Sequence, residues 1–166
     1  LGKVTTLYNG KQEFVSTWTG TISRWKLYDE TRGEGISTQV RWGADKYISD
    51  NDNDWDTGTD KKQKRAHASA HWAAQEIWDW WKVGLGRYGI DGNGSGLIIR
   101  ADFKYTTGAF AVPSTNPLQI TLSVKVNGQH NELSALDIIG HEMKHGVLYY
   151  TSGFDPSAPG YKSHPE

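Results

Sequence analysis

The chain has 166 residues, 36% hydrophobic and 22% charged, with a formal net charge of −1 and a mean hydropathy of −0.65. A domain of this size buries about 70% of its unfolded surface, and eight tryptophans supply bulk for a core, which excludes a disordered chain. Near-neutral charge argues against nucleic acid held by counterion release, and no apolar run reaches the roughly 18 residues of a membrane span. There is no cysteine, hence no disulfide, no thiolate metal site and no cysteine nucleophile, so a metal would have to be held by histidines and carboxylates. The start at Leu1-Gly2-Lys3, without methionine or a secretory apolar segment, is what a trimmed, mature chain is expected to show.

From Leu1 to Trp42, short β-type stretches alternate with turn residues. Lys3 to Tyr8 leads into the hairpin signal Asn9-Gly10; Glu13 to Trp18, Ile22 to Tyr28 and Gly35 to Trp42 follow, predicting an antiparallel sheet. Between Asp50 and Asp60, alternating carboxylates and amides build neither a core strand nor a stable helix and predict an exposed loop. Its closely spaced oxygens suit calcium, although the EF-hand spacing is not met, and a merely solvated acidic loop accounts for them equally well. The basic run Lys61-Lys62-Gln63-Lys64-Arg65 is expected in a solvated loop.

From Ala66 to Lys82 the period is helical, with Ala66, Ala70, Ala73, Ala74, Ile77 and Trp81 on one side. Trp72, Trp78, Trp80 and Trp81, at helical spacing, are expected in a core rather than in a sugar-stacking platform. Nothing at i+3 or i+4 could chelate a metal alongside His71, so it is expected to be a hydrogen-bonded structural residue. Gly84 to Gly96 is a glycine-rich connection lacking the Lys-Ser/Thr and the helix of a phosphate loop. Leu97 to Tyr105 and Leu118 to Val126 predict strands, the second by strict apolar and polar alternation.

Ser134 to Tyr150 predicts a buried helix. Ser134 with Asp137 is a short capping signal, Leu136, Ile139, Met143, Val147 and Tyr150 make an apolar stripe, and Gly153 is a natural stop. Inside it lies His141-Glu142-Met143-Lys144-His145. At about 100° per residue, His145 sits about 40° and Glu142 about 100° from His141, so all three leave one side of the helix. The spacing is the zincin motif, in which two imidazoles grip zinc and an unbound carboxylate beside it takes a proton from the attacking water. Gly140 and Gly146 each cost about 1 kcal/mol against alanine in a helix, which fits close packing around a site. The plain alternative is a pair of histidines satisfied by neighbouring backbone or carboxylate groups.

With its flanks, Leu136 to Val147 resembles the active-site helix of the thermolysin family of zinc metallopeptidases. Leu7-Tyr8-Asn9-Gly10 and Asp29 to Ile36 are similar to the family's opening strands, and Ser69 to Lys82, with Gly86-Arg87, to its first long helix. The resemblance covers nearly all of residues 1–166. It implies an α+β amino-terminal lobe, a twisted antiparallel sheet packed with two long helices, of a secreted endopeptidase acting on peptides or proteins. It further implies His141 and His145 as zinc ligands, Glu142 as general base, and Ala109-Phe110 as the edge-strand segment that binds substrate. Calcium is implied at Asp137 and in the loop of Asp50, Asp52 and Asp54.

Several positions depart from the family pattern. The glutamate expected as third zinc ligand, in an Asn-Glu-x-x-x-Asp sequence, is absent; the ligand is expected just beyond Glu166, with Glu166 itself, in Ser163-His164-Pro165-Glu166, as the alternative. Asp155-Pro156 stands where the family has a tyrosine, for which Tyr161 is a substitute. Gly108 replaces a substrate-contacting asparagine, and Lys144 a threonine. The carboxy-terminal helical lobe is expected to be missing, supplied in cis or as a separate fragment, so the chain alone is expected to be inactive. The competing possibility is a non-catalytic peptidase-like binding domain, or a lobe that pairs with another chain; the intact Glu142 argues against degeneracy.

Overall fold

A computed structural model describes residues 1–6, 8–20, 23–40, 47–102, 108–123, 125–126, 129–130 and 133–153. In chain order the elements are β1 (Gly2–Thr6), β2 (Gly10–Phe14), β3 (Thr17–Thr19), β4 (Arg24–Lys26), β5 (Tyr28–Asp29), β6 (Ile36–Val40), β7 (Ser49–Asp50), α1 (Lys61–Leu85), β8 (Leu97–Asp102), β9 (Ala109–Val112), β10 (Leu118–Ser123), β11 (Lys125–Val126), β12 (Gln129–His130) and α2 (Leu136–Ser152). The expected α+β class holds, with two long helices on sheet structure.

Asn9-Gly10 closes the β1–β2 hairpin, where Thr6 Oγ1 accepts the Asn9 N–H at 3.0 Å and Gly10 takes φ 68°. The expected Glu13 to Trp18 strand is divided, because Val15 leaves the ladder to exchange two 2.9 Å hydrogen bonds with the Gln75 side chain. The strand pairs of the first quarter, β1–β2, β3–β4 and β5–β6, are antiparallel, as predicted.

The principal sheet corrects the expectation of a wholly antiparallel arrangement. Its order is β5-β6-β8-β10-β9, and the inner pairings, β6 with β8 and β8 with β10, are parallel. The reason is the long connection. α1 lies between β6 and β8 in the chain, and a helical crossover returns the chain in the same direction, which a short turn cannot do. Leu97, Ile99 and Ala101 of β8 and Leu118, Ile120 and Leu122 of β10 are buried at alternate positions, in one core with Trp72, Trp78 and Trp81 of α1 and Ile139 and Met143 of α2. Trp80 is 60% exposed and does not join that core.

The basic run is a second correction, for it forms the first turns of α1 rather than a solvated loop. The acidic segment is a loop, exposed at Asn51, Asp52 and Thr57 to Asp60 as expected, with Asp50, Asn53 and Trp55 buried beneath it. No helix among the described residues is long and apolar enough to cross a membrane.

Candidate functional site

α2 is set into the molecule by what its glycines lack. A Cβ on Gly146 would lie 2.6 Å from Ile90 Cγ2 and 2.8 Å from Leu118 Cδ2, and one on Gly140 would lie 3.3 Å from Ile77 Cδ1 of α1. The helix therefore rests close against β10 and α1. The Tyr150 hydroxyl donates to the Thr115 carbonyl at 3.4 Å, joining the far end of α2 to the turn between β9 and β10; burial raises the Tyr150 pKa, with Asp91 and Tyr149 charge adding to it. The capping expectation is corrected: Ala135, not Ser134, is the N-cap and makes no side-chain cap bond, while Asp137 offers its charge to the first turn. Gly153 ends the helix at φ 65°, as predicted.

From this seat the motif residues emerge together. His141 is exposed, His145 partly so, and Glu142 is buried at 6% exposure. The two imidazoles stand 4.8 Å apart at 81°, and their Nε2 atoms approach to 3.1 Å. Two nitrogens converging in this way either share a proton or turn both lone pairs on one cation. Ligands 2.0–2.1 Å from a tetrahedral zinc lie about 3.3–3.4 Å from each other, so the pair fits zinc after a movement of a few tenths of an ångström. No group of three or more metal-ligating residues is gathered among the described residues. Glu166, Tyr161 and His164 lie outside the described residues.

β9 is the edge strand of the principal sheet on the side where α2 packs. The Ser123 N–H donates to the Gly108 carbonyl at 3.2 Å, so the backbone of Gly108 faces β10. Alternation along a strand then turns the N–H and C=O of Ala109 and Ala111 outward, away from the sheet. Phe110 is 42% exposed, and among the described residues a Cβ on Gly108 would meet no atom within 4 Å. Among the described residues no strand pairs with the outer side of β9, so Gly108, Ala109 and Phe110 stand at the edge of the sheet. Ala111 was missed from sequence, although the two-residue period counted from Ala109 would have found it.

The other expected site residues go elsewhere. Asp137 is exposed on the first turn of α2. Asp50 Oδ1 accepts the Asp52 N–H at 3.0 Å while Oδ2 pairs with Lys64 Nζ at 2.6 Å. Asp52 and Asp54 accept the N–H groups of Asp54 and Asp56 at 3.0 and 3.1 Å. His71 is structural, as expected, and fully buried between Thr38 and Val15.

Comparison with known proteins agrees with this geometry. The sequence profile of the thermolysin metallopeptidase catalytic domain matches residues 2–149. The chain is 29% identical over 149 residues to the transglutaminase-activating metalloprotease of Streptomyces mobaraensis, covering 87% of this chain and 19% of that protein. It is 30% identical over 147 residues to bacillolysin of Brevibacillus brevis (86% and 26%) and 28% identical over 152 residues to thermolysin of Alicyclobacillus acidocaldarius subsp. acidocaldarius (87% and 26%). The chain thus spans about a fifth to a quarter of the length of these curated relatives. A profile match over nearly all of the chain, on a fold that brings both motif histidines to one point, establishes that this chain belongs to the thermolysin metallopeptidase family.

Proposed function

We propose that the chain forms the zinc-holding, base-bearing wall of a secreted endopeptidase that hydrolyses bonds in peptides or proteins. The observation that carries this is the convergence of His141 and His145 Nε2 at 3.1 Å beside a buried Glu142. His141 and His145 would hold the ion, with a third ligand from beyond the described residues, Glu166 among the candidates. Bound there, zinc supplies Lewis acidity that acidifies the attacking water and polarises the scissile carbonyl. Glu142 takes the water's proton and returns it to the leaving amine. The outward backbone groups of Ala109 and Ala111 pair with an extended substrate as an added strand, with Phe110 and the space at Gly108 facing its side chains. The remaining lobe of the site joins in cis or as a separate fragment.

Zinc calorimetry tests the centre. The chain is expected to bind one zinc with micromolar or weaker affinity, as suits two protein ligands, and both His141→Ala and His145→Ala are expected to abolish binding. Glu142→Gln is expected to keep the zinc and, in the complete enzyme, to lose hydrolysis. A wild-type chain that takes up no zinc overturns the proposal.

A further inference from the structure

The segment from Asp50 to Asp60 has the composition of a loop that needs a cation, and the structure shows where its positive charge comes from. Lys64, in the first turns of α1, places Nζ 2.6 Å from Asp50 Oδ2, with the lysine side chain 20% exposed and that of Asp50 2%. Gly58, at φ 82°, brings the far side of the loop over the same ammonium: a Cβ there would lie 3.5 Å from Nζ. Arg65 extends the contact, donating from Nε to the Thr5 carbonyl at 3.0 Å and lying 3.2 Å from Asp56 Oδ1. Asp56 also accepts the Thr5 N–H at 2.8 Å and its hydroxyl at 2.6 Å.

Along the chain, Asp50, Asp52 and Asp54 each also turn one carboxylate oxygen on the amide two residues ahead. Calcium takes six to eight oxygens turned on one point, and the buried Asp50 oxygen that such an ion would need is held by the Lys64 ammonium. The charge pattern of α1 is a separate observation in the same direction. Its N-terminus bears Lys61, Lys62, Lys64 and Arg65 with no acid in the first turn, and Asp60 makes no side-chain cap bond. Cations at a helix N-terminus oppose the macrodipole, and facing carboxylates relieve that conflict.

We propose that Lys64 is the resident cation of this loop, that the 50–60 segment folds without a divalent ion, and that loss of Lys64 makes the same segment calcium-dependent. The inference rests on the fold and is independent of the proposed peptidase chemistry.

Thermal melts of the zinc-free chain, in EGTA or in millimolar calcium chloride, test it. Wild type and the charge-keeping Lys64→Arg are expected to melt within about 1 °C of themselves in the two media. Lys64→Ala is expected to lose about 5 °C or more in EGTA, the size expected for breaking a buried pair, and to regain at least half of it in calcium. Adding Asp50→Asn to Lys64→Ala should remove that response. Terbium luminescence excited through tryptophan, with Trp55 inside the loop, gives a second readout that should appear in Lys64→Ala and not in wild type. A wild-type melting temperature that rises in calcium, and loses the rise in Asp52→Asn, overturns the proposal. So does a Lys64→Ala chain that melts alike in both media.

Discussion

His71 shows how a single buried side chain is held by groups remote in the chain. Its Nε2 lies 3.2 Å from the Val15 carbonyl and its Nδ1 3.1 Å from Thr38 Oγ1. A carbonyl only accepts, so Nε2 carries the hydrogen and Nδ1 accepts from the Thr38 hydroxyl. Burial pushes the His71 pKa down to about 4 from an ordinary 6.5, with Asp29 and the Val15 carbonyl offsetting only part of the effect. The unfolded chain therefore binds the proton first as pH falls. The neutral imidazole's contribution is complete above pH 6.5 and is lost as pH falls toward 4, a change of about 3 kcal/mol over that window. Denaturant titrations at a series of pH values should show wild-type stability falling more steeply across this range than that of His71→Gln; equal slopes would refute the assignment.

At the scale of the element, α2 carries two glycines with opposite expectations. Replacing glycine with alanine in a helix gains up to about 1 kcal/mol of propensity. At Gly146 the new Cβ meets Ile90 and Leu118 at 2.6 and 2.8 Å, inside the packed core, and overpacking of that kind costs about 1–3 kcal/mol. At Gly140 it meets the mobile end of Ile77 at 3.3 Å, which can yield. Chemical denaturation should therefore show Gly146→Ala destabilised by about 1–2 kcal/mol and Gly140→Ala neutral or stabilised. The helix's existence, its stop at Gly153 and its motif were legible from period and punctuation. Its start was not, because Ala135 closes the N-terminus by accepting the Ile139 N–H at 3.1 Å through its backbone, which leaves no side-chain signature.

At the scale of the molecule, the proposed chemistry needs a wall, an edge and a complete ligand set, and the described residues provide the first two. α2, which carries the histidine pair, packs against β9, the outermost strand of the principal sheet, and the proposed chemistry requires a peptide along β9 to reach that pair. A catalytic zinc takes three protein ligands and keeps a position open for water. With two ligands gathered among the described residues, the isolated chain is expected to hydrolyse labelled casein no faster than its Glu142→Gln variant. Chelator-sensitive cleavage absent from that variant would show that the chain completes its own site.

What the sequence determined by itself was local. The helical period of Ala66 to Lys82, the Asn9-Gly10 hairpin, the His141, Glu142, His145 spacing and the Gly153 stop are all written within a few residues of one another, where backbone geometry alone makes neighbours of them. The tertiary structure decided everything that depends on distant partners. It set β6 and β8 parallel by passing α1 between them, and β8 and β10 parallel by placing β9 beyond β10. It turned Ala109 and Ala111 outward by assigning Gly108 to β10. It committed the loop aspartates to Lys64, to Arg65 and to Thr5, the last two sixty positions apart and joined by a hydrogen bond. An aspartate's composition is the same whether its oxygens face calcium, solvent or a lysine, and only the packing of one element on another selects among them.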